Sequence, residues 1–197
     1  MENIKVERKN IDKKINEYFY IIDGCLSLNE IMWLYHSLIE SNEWTLSRRS
    51  NDEGMIINQF GSFPGMKIID NYEIYNQFFS GYFKSVLLRL KEVLRNSYDF
   101  TLPDKIQRII VGAKNATSFT DFHKDSHNKD DYSIIGCLNP IWNNNDGGEL
   151  FILNEKIDFK TGRFIIFPSK IDHNGGQKIS DKLNYWRISV NIILSDS

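Results

Sequence analysis

Three side chains in the second half of the chain have the types and spacing of metal ligands. His123 and Asp125 are separated by one residue, so on an extended segment both side chains point to the same face. His173 follows an apolar segment, residues 162–168, at a point where the chain is expected to turn, and it is the best candidate for a third ligand. Two imidazoles and one carboxylate leave three coordination positions open, which suits non-haem Fe(II). The pattern therefore predicts a metal site formed by these three residues.

A basic residue near the end of the chain offers a site for an anion. In Arg187-Ile188-Ser189, strand alternation places Arg187 and Ser189 on one face. A planar guanidinium binds a carboxylate through two parallel hydrogen bonds. A small dicarboxylate that chelates the metal through its keto-acid end would place its other carboxylate there. A structural salt bridge to an acidic residue is the alternative explanation for Arg187 taken alone.

A second possible set of metal ligands includes His127. His123, Asp125 and His127 lie at i, i+2 and i+4 and form a cupin-like set, although residues 126–131 are polar and are predicted to be a loop. His127 and the neighbouring lysines are alternatively interpreted as solvated residues or as the lining of a substrate entrance. His36 lies among apolar neighbours of a predicted helix and is interpreted as structural.

Two amphipathic helices occupy the first half of the chain. An apolar run over residues 18–22 predicts a strand, and Ser27 with Glu30 forms a capping-box pattern that begins a helix over residues 28–41. Helical spacing of apolar residues predicts a longer helix over residues 72–96. Between them, residues 42–65 are polar and rich in turn residues, which indicates a loop or short strands near the mouth of a site.

The second half of the chain has short apolar or alternating segments separated by turn residues. Strands are predicted over residues 106–111, 119–123, 132–138, 149–153, 162–167 and 185–194. This spacing favours an antiparallel sandwich or barrel over alternating βαβ units. We expect one domain over residues 1–197, with a helical buttress over about 1–100 and a β core over about 105–194.

Composition excludes several classes of protein. The chain has 197 residues, of which 41% are hydrophobic and 25% charged, as is typical of a folded domain. With 24 Lys+Arg against 26 Asp+Glu, the net charge is −2, so neither nucleic acid nor an anionic membrane is an expected partner. The charged first residues and the lack of a long apolar run predict a cytoplasmic protein. Cys25 and Cys137 are far apart and suggest neither a disulfide scaffold nor a thiolate zinc site.

The motifs as an ordered set are more specific than any one of them. They are His123-x-Asp125, Asp146-Gly147-Gly148-Glu149-Leu150, residues 162–169, His173 and Arg187-x-Ser189. In this order they resemble the Fe(II)- and 2-oxoglutarate-dependent oxygenases of the prolyl 4-hydroxylase-like group, over roughly residues 105–194. The resemblance implies a mainly β fold, a double-stranded β-helix (a cupin-like jelly roll), braced by two N-terminal helices.

The resemblance also implies a reaction and its residues. His123, Asp125 and His173 are expected to bind Fe(II), and Arg187, assisted by Ser189, to hold the distal carboxylate of 2-oxoglutarate. With O₂, 2-oxoglutarate is converted to succinate and CO₂ while an unactivated C–H bond is hydroxylated. The substrate is expected to be a small metabolite or amino acid, or a prolyl-type side chain of a peptide. The Gly147-Gly148 turn is expected to be scaffold.

Three departures from the pattern separate this chain from collagen-type and oxygen-sensing prolyl hydroxylases. Asn174-Gly175-Gly176 replaces their apolar segment, and Arg187 lies 14 residues after His173, a longer gap than theirs. Cys137 stands where several relatives have a tyrosine that binds 2-oxoglutarate, and a thiol is a poor substitute for that phenol. Two further hypotheses stay open: a cupin-like metal-dependent binding or isomerase module without oxygenase activity, and a non-catalytic structural domain.

The directions of four further side chains bear on the site. Strand alternation predicts that Trp186 faces away from Arg187 and packs. Tyr132 and Ser133 open a strand, and which of them faces the cosubstrate depends on pairing register. Trp142 lies in a turn and either covers the pocket or acts as a buried anchor.

Overall fold

The computed structural model describes residues 4–12, 17–40, 45–50, 56–62, 77–116, 121–177, 179–183 and 185–196. Its helices and strands are, in chain order, β1 (Lys5–Asp12), β2 (Glu17–Asp23), α1 (Leu28–Ile39), β3 (Thr45–Ser50), β4 (Ile56–Ser62), α2 (Gln77–Tyr98), β5 (Lys105–Lys114), β6 (Tyr132–Cys137), β7 (Glu149–Ile152), β8 (Glu155–Ile157), β9 (Phe164–Pro168), β10 (His173–Gln177) and β11 (Arg187–Ser195).

The strands form two antiparallel sheets. The larger sheet has the order β1-β2-β9-β6-β11-β5-β4-β3, and the smaller has the order β10-β7-β8. An isolated antiparallel bridge between His123 and His173 extends the smaller sheet at its β10 edge. These two sheets confirm the predicted jelly-roll architecture of a double-stranded β-helix, with two helices preceding its core.

The core has two layers, one on each face of the larger sheet. The layer facing the helices includes Leu34, Phe83, Leu90, Ile109 and Val190. The layer between the two sheets includes Phe19, Ile135, Leu150, Ile152 and Phe167. Alternate residues of each central strand therefore enter different layers, and the helices cover the outer face as predicted.

Most predicted elements lie within a few residues of their expected positions. Helix α1 begins with the capping box: the Ser27 hydroxyl accepts a hydrogen bond from the Glu30 N–H, and the Glu30 carboxylate accepts one from the Ser27 N–H. Helix α2 was expected to begin at residue 72, and residues 72–76 lie outside the described residues. None of the helices in the described part of the chain is long and apolar enough to span a membrane.

The short strands that were one of the two expectations for residues 42–65 are present as β3 and β4, which form a pair that joins the larger sheet beside β5. Other segments differ from the prediction. Of the strand expected over residues 119–123, residues 121–123 contribute only the His123 bridge, while 119 and 120 lie outside the described residues. Strands β1, β8 and β10 were not predicted, because charged residues, a three-residue length and an Asn-Gly-Gly sequence all lie outside the usual strand signal.

A partly buried ion pair joins neighbouring strands and supplies a test of the fold. Arg163, just before β9, donates from Nε and Nη2 to the two carboxylate oxygens of Asp23 at the end of β2, each at 2.8 Å. Burial opposes ionisation, but the hydrogen bonds from Arg163 and Lys160 outweigh it and hold the pKa of Asp23 below its ordinary value of 3.8.

We predict that Asp23→Asn lowers the free energy of unfolding by about 2 kcal/mol at neutral pH, because it leaves Arg163 without its charged partner. The matched control Asp104→Asn removes an exposed pair with Lys91 and should leave the free energy of unfolding almost unchanged. Since a lowered pKa stabilises the fold only while the carboxylate is ionised, the difference from wild type should close as the pH falls below about 4. Urea denaturation across this pH range measures the free energy of unfolding. Equal losses of stability in the two variants would contradict a stabilising role for the Asp23–Arg163 pair.

Candidate active site

The three residues predicted as metal ligands lie together. One ligand atom from each of His123, Asp125 and His173 lies within 4.8 Å of the others. His173 Nε2 is 3.5 Å from Asp125 Oδ2, and His123 Nε2 is 3.9 Å from Asp125 Oδ1. The side chains of Asp125 and His173 are 2% exposed, whereas that of His123 is 35% exposed. The cluster therefore opens towards solvent on its His123 side.

Backbone pairing fixes the two imidazoles. The N–H of each histidine donates to the carbonyl of the other at 3.0 Å, which brings their rings to 4.4 Å between centroids. His123 Nδ1 lies 2.9 Å from the Asp121 carbonyl, and His173 Nδ1 lies 3.0 Å from the Ile171 carbonyl. Because a carbonyl oxygen only accepts, each Nδ1 carries the proton and each Nε2 keeps its lone pair for a metal.

Three neighbours orient the Asp125 carboxylate. Arg108 Nη2 donates to Oδ1 at 3.0 Å, while Ser133 Oγ and Asn191 Nδ2 donate to Oδ2 at 2.7 and 3.2 Å. Burial would raise the pKa of Asp125, but the charges of His173 and Arg108 and the Ser133 hydrogen bond outweigh it and hold the pKa below the usual value. Asp125 is therefore an ionised carboxylate held in one orientation, as a metal ligand would have to be.

Burial also keeps His173 in its ligating form. It lowers the pKa of His173 more strongly than Asp125 raises it, so the imidazole is neutral at pH 7. The donor set is thus two imidazole nitrogens and one carboxylate, without a thiolate. This set fits Fe(II), and its three-residue size leaves room for further ligands.

A second buried carboxylate holds the loop that carries Asp125. Asp131 accepts hydrogen bonds from Ser126 Oγ at 2.6 Å, Asn128 Nδ2 at 3.0 Å and Gln107 Nε2 at 3.2 Å. Ser169 joins the same loop to the end of β9, because its backbone pairs with both Asp125 and Asp131. The segment after β9 thereby fixes the position of a ligand 44 residues earlier in the chain.

The cupin-like ligand set does not form among the described residues. His127 is exposed and lies outside the cluster that joins His123, Asp125 and His173. The chain leaves the extended conformation after Asp125, so the i, i+2, i+4 spacing does not place His127 beside the other two.

Arg187 is a buried cation whose hydrogen-bond partners are all neutral. Its Nε donates to the Gly148 carbonyl at 2.9 Å, its Nη1 donates to Ser189 Oγ at 3.1 Å, and its guanidinium lies 4.2 Å from the centre of the Phe159 ring. Burial lowers its pKa to about 10, so it stays charged at pH 7. No carboxylate of the described residues lies within ion-pair distance of Arg187, although the charge of Glu149 acts on it from farther away and partly offsets the effect of burial on its pKa. This argues against the direct salt bridge considered from the sequence.

Gly148 and Trp142 shape the pocket around Arg187. A Cβ at Gly148 would lie 2.9 Å from Arg187 Cδ and 3.1 Å from Trp142 Cζ2, and Gly148 has a φ of +77°. The indole of Trp142 donates to the Gly147 carbonyl at 2.9 Å and its ring lies 4.8 Å from that of Phe159. Trp142 is therefore an anchor beside the pocket, and the Gly147-Gly148 turn is scaffold that lets the backbone approach Arg187.

The strand register places the metal cluster and the Arg187 pocket on one interior face. Arg187, Ser189 and Asn191 alternate along β11, and Asn191 contacts Asp125. Ser133 also faces Asp125, whereas Tyr132 packs against Phe100 on the other face. The Cys137 thiol is buried beside Ser189 in register, and burial raises its pKa to about 11, so it is a neutral thiol. Trp186 packs against the helix-side core, as predicted.

Sequence reasoning missed three residues of this site. Arg108 and Asn191 contact Asp125, and Asp131 holds its loop. Arg108 and Asn191 are each a polar residue at an alternating position of an apolar strand, and this pattern is visible in the sequence. Only the strand register shows that both side chains contact Asp125.

Comparisons with known proteins identify the fold. No family model matches the sequence, and no curated protein is significantly similar to it. Among solved structures, an oxidoreductase of the 2OG-Fe(II) oxygenase family from Burkholderia pseudomallei is similar with a TM-score of 0.69 at 14% identity, over 91% of this chain and 85% of that one. A Trichoplax adhaerens prolyl hydroxylase in complex with a peptide fragment gives 0.58 at 18% identity, over 90% and 83%.

A third similar structure is that of an enzyme with a different reaction. The non-haem, alpha-ketoglutarate-dependent epimerase of nogalamycin biosynthesis gives a TM-score of 0.57 at 11% identity, over 91% of this chain and 79% of that one. At these identities the likeness shows the fold, which is that of 2OG-Fe(II) oxygenases, prolyl hydroxylases included.

We predict that His173→Ala weakens Ni(II) binding at least about 100-fold, because it removes a buried nitrogen ligand. The matched control His127→Ala should bind Ni(II) as wild type does, because His127 lies outside the cluster. Isothermal titration calorimetry at pH 7.5 measures both, with thermal melting to confirm folding. Loss of binding in His127→Ala would restore the cupin-like ligand set.

Proposed function

We propose that this chain is an Fe(II)- and 2-oxoglutarate-dependent dioxygenase that hydroxylates an unactivated C–H bond. The observation that carries the proposal is the pairing, on one interior face, of a His-Asp-His cluster with a buried arginine whose hydrogen-bond partners are all neutral. The balanced reaction consumes substrate, 2-oxoglutarate and O₂, and yields hydroxylated substrate, succinate and CO₂.

His123, Asp125 and His173 would hold the iron. Bound Fe(II) supplies the activation of O₂ that is coupled to oxidative decarboxylation of the keto acid. The protein's contribution is a rigid site: the backbone bridge aims both Nε2 atoms, and Arg108, Ser133 and Asn191 fix the carboxylate. Such neighbours raise metal affinity because they remove the cost of orienting the ligands.

Arg187 and Ser189 would hold the distal carboxylate of 2-oxoglutarate. Arg187 donates to the Ser189 hydroxyl oxygen, so the hydroxyl proton is left to donate to a bound anion. A carboxylate at this point would pair directly with a buried charge that otherwise forms no ion pair with the described residues. Phe159 and Trp142 exclude water on the far side of the pocket, which strengthens that attraction.

The substrate would approach from the His123 side, where the cluster is open. Phe122, next to the ligand, is 52% exposed and offers an aromatic surface there. We propose a small metabolite or amino acid, or a prolyl-type side chain of a peptide, as the substrate. The solved neighbours support this range, since one holds a peptide and another is an epimerase.

The cupin-like module without oxygenase activity is the second candidate, and the geometry favours it less. That hypothesis requires His127 as a ligand and gives Arg187 no role. His127 lies outside the cluster, and Arg187 lines the same interior face as the metal ligands.

The direct test is turnover of 2-oxoglutarate. Protein reconstituted with Fe(II) and ascorbate is incubated in air with 2-oxoglutarate and panels of free amino acids and proline-containing peptides, and succinate is measured by mass spectrometry. Wild type should form succinate above a no-protein background and His173→Ala should not. No succinate from a wild-type protein that binds both metal and 2-oxoglutarate would contradict the proposal.

We predict that Gly148→Ala weakens 2-oxoglutarate binding about 10-fold or more, because a Cβ at this position displaces Arg187. Gly81→Ala is the matched control, since an added Cβ there has no atom within 4 Å. Calorimetric titration of the Ni(II)-loaded variants with 2-oxoglutarate measures the effect. Unchanged affinity in a folded Gly148→Ala would show that Arg187 does not hold the ligand.

A further inference from the structure

Two buried hydroxyls lie behind the Asp125 carboxylate. Ser133 Oγ and Ser169 Oγ are 2.8 Å apart, and both serines are 0% exposed. Antiparallel pairing of β6 with β9 brings them together, because Ser133 lies in β6 and Ser169 follows the last residue of β9. Ser133 Oγ is also 2.7 Å from Asp125 Oδ2. The two hydroxyls and the carboxylate therefore form one chain of hydrogen bonds.

The direction of this chain follows from the chemistry of its groups. The pKa of Asp125 is held below its usual value, so the carboxylate is ionised at neutral pH and can only accept. A serine hydroxyl has one proton to donate, and Ser133 uses its proton on Asp125. The proton between the two serines must then belong to Ser169, which donates to Ser133.

The Ser169 hydroxyl restrains the donor that Asp125 depends on. A hydroxyl with one partner can rotate, whereas Ser133 Oγ is held between the donor behind it and the acceptor in front of it. A donor that itself accepts a hydrogen bond is also polarised into a stronger donor, and the effect is larger away from water. Because Asp125 Oδ2 lies 3.5 Å from His173 Nε2, the chain ends where two of the candidate ligands meet.

The backbone of Ser169 has a separate task. Its carbonyl accepts hydrogen bonds from the N–H groups of Asp125 and Ser126, and its N–H donates to the Asp131 carbonyl. These bonds fix the ligand loop whatever the side chain at position 169 is. Ser169→Ala therefore removes the hydroxyl and leaves the backbone contacts in place.

We propose that Ser169 is a positioning residue for the metal site, which acts on Asp125 through the hydroxyl of Ser133. This inference rests on the proposed function and deepens it. The affinity of the site for its metal is set in part by a hydroxyl that is one step removed from the ligand, and the two serines act as a unit.

The experiment is a double-mutant cycle on metal binding, which separates a coupled pair from two independent effects. Metal-free wild type, Ser133→Ala, Ser169→Ala and the double variant are titrated with Ni(II) by calorimetry. The matched control is Ser37→Ala, a partly buried serine of α1, which packs on the opposite face of the larger sheet. Visible absorption of each Co(II)-saturated protein reports the ligand field, and thermal melting reports folding.

Ser133→Ala should weaken Ni(II) binding about 10-fold or more, because it removes a direct donor to Asp125. Ser169→Ala should weaken it about three- to tenfold. The double variant should match Ser133→Ala within about twofold, because Ser169 has no route to Asp125 once the Ser133 hydroxyl is gone. The Co(II) spectrum should shift in Ser169→Ala and should be unchanged in Ser37→Ala.

Three results would overturn the role of Ser169 alone. Wild-type Ni(II) affinity in Ser169→Ala would show that its hydroxyl does not act on the site. Losses that multiply in the double variant would show that the two serines act independently. Failure of Ser169→Ala to fold would assign the hydroxyl to stability. A wild-type protein that binds no Ni(II) would instead overturn the proposed function, and this inference with it.

Discussion

The arrangement of the site depends on two charged side chains, Asp125 and Arg187, that are buried in the space between the two sheets. The side chains of Asp125 and Arg187 are both almost fully buried there, and a charge in such surroundings is costly unless it is paired. Asp125 receives compensation from Arg108 and two neutral donors of the same protein. Arg187 forms no ion pair with a described carboxylate and is attracted only from a distance by Glu149. On this difference we propose that one end of the space between the sheets takes a metal and the other an anion.

One strand connects these two ends. Along β11, Arg187, Ser189 and Asn191 face the interior, and four residues of strand span about 13 Å between the first and the last Cα. Strands β5 and β6 flank it and bring Arg108 and Ser133 to the Asp125 carboxylate. The helices pack on the opposite face of this sheet, so they support the strand without entering the site.

The sequence predicts the parts of this arrangement that depend on local pattern. The capping box and helical spacing locate α1. Residue type and spacing predict His123, Asp125 and His173 as a metal-ligand cluster and Arg187 with Ser189 as an anion site, and the structure brings each group together. Contacts that depend on strand register were not predictable, which is why Arg108 and Asn191 were missed. Strand β10 was missed because its Asn-Gly-Gly sequence has low β propensity, and it is held by pairing with β7 and with His123.

The central claim is that the metal cluster and Arg187 serve one bound cosubstrate. The most direct measurement is an anaerobic titration of the apoprotein with Fe(II) and then 2-oxoglutarate, following the weak visible charge-transfer absorption of a keto acid chelated to Fe(II). The account predicts a band that requires both additions, is absent in His173→Ala, and needs at least about 10-fold more 2-oxoglutarate in Arg187→Ala. Tight Fe(II) binding with no band at any 2-oxoglutarate concentration would contradict it.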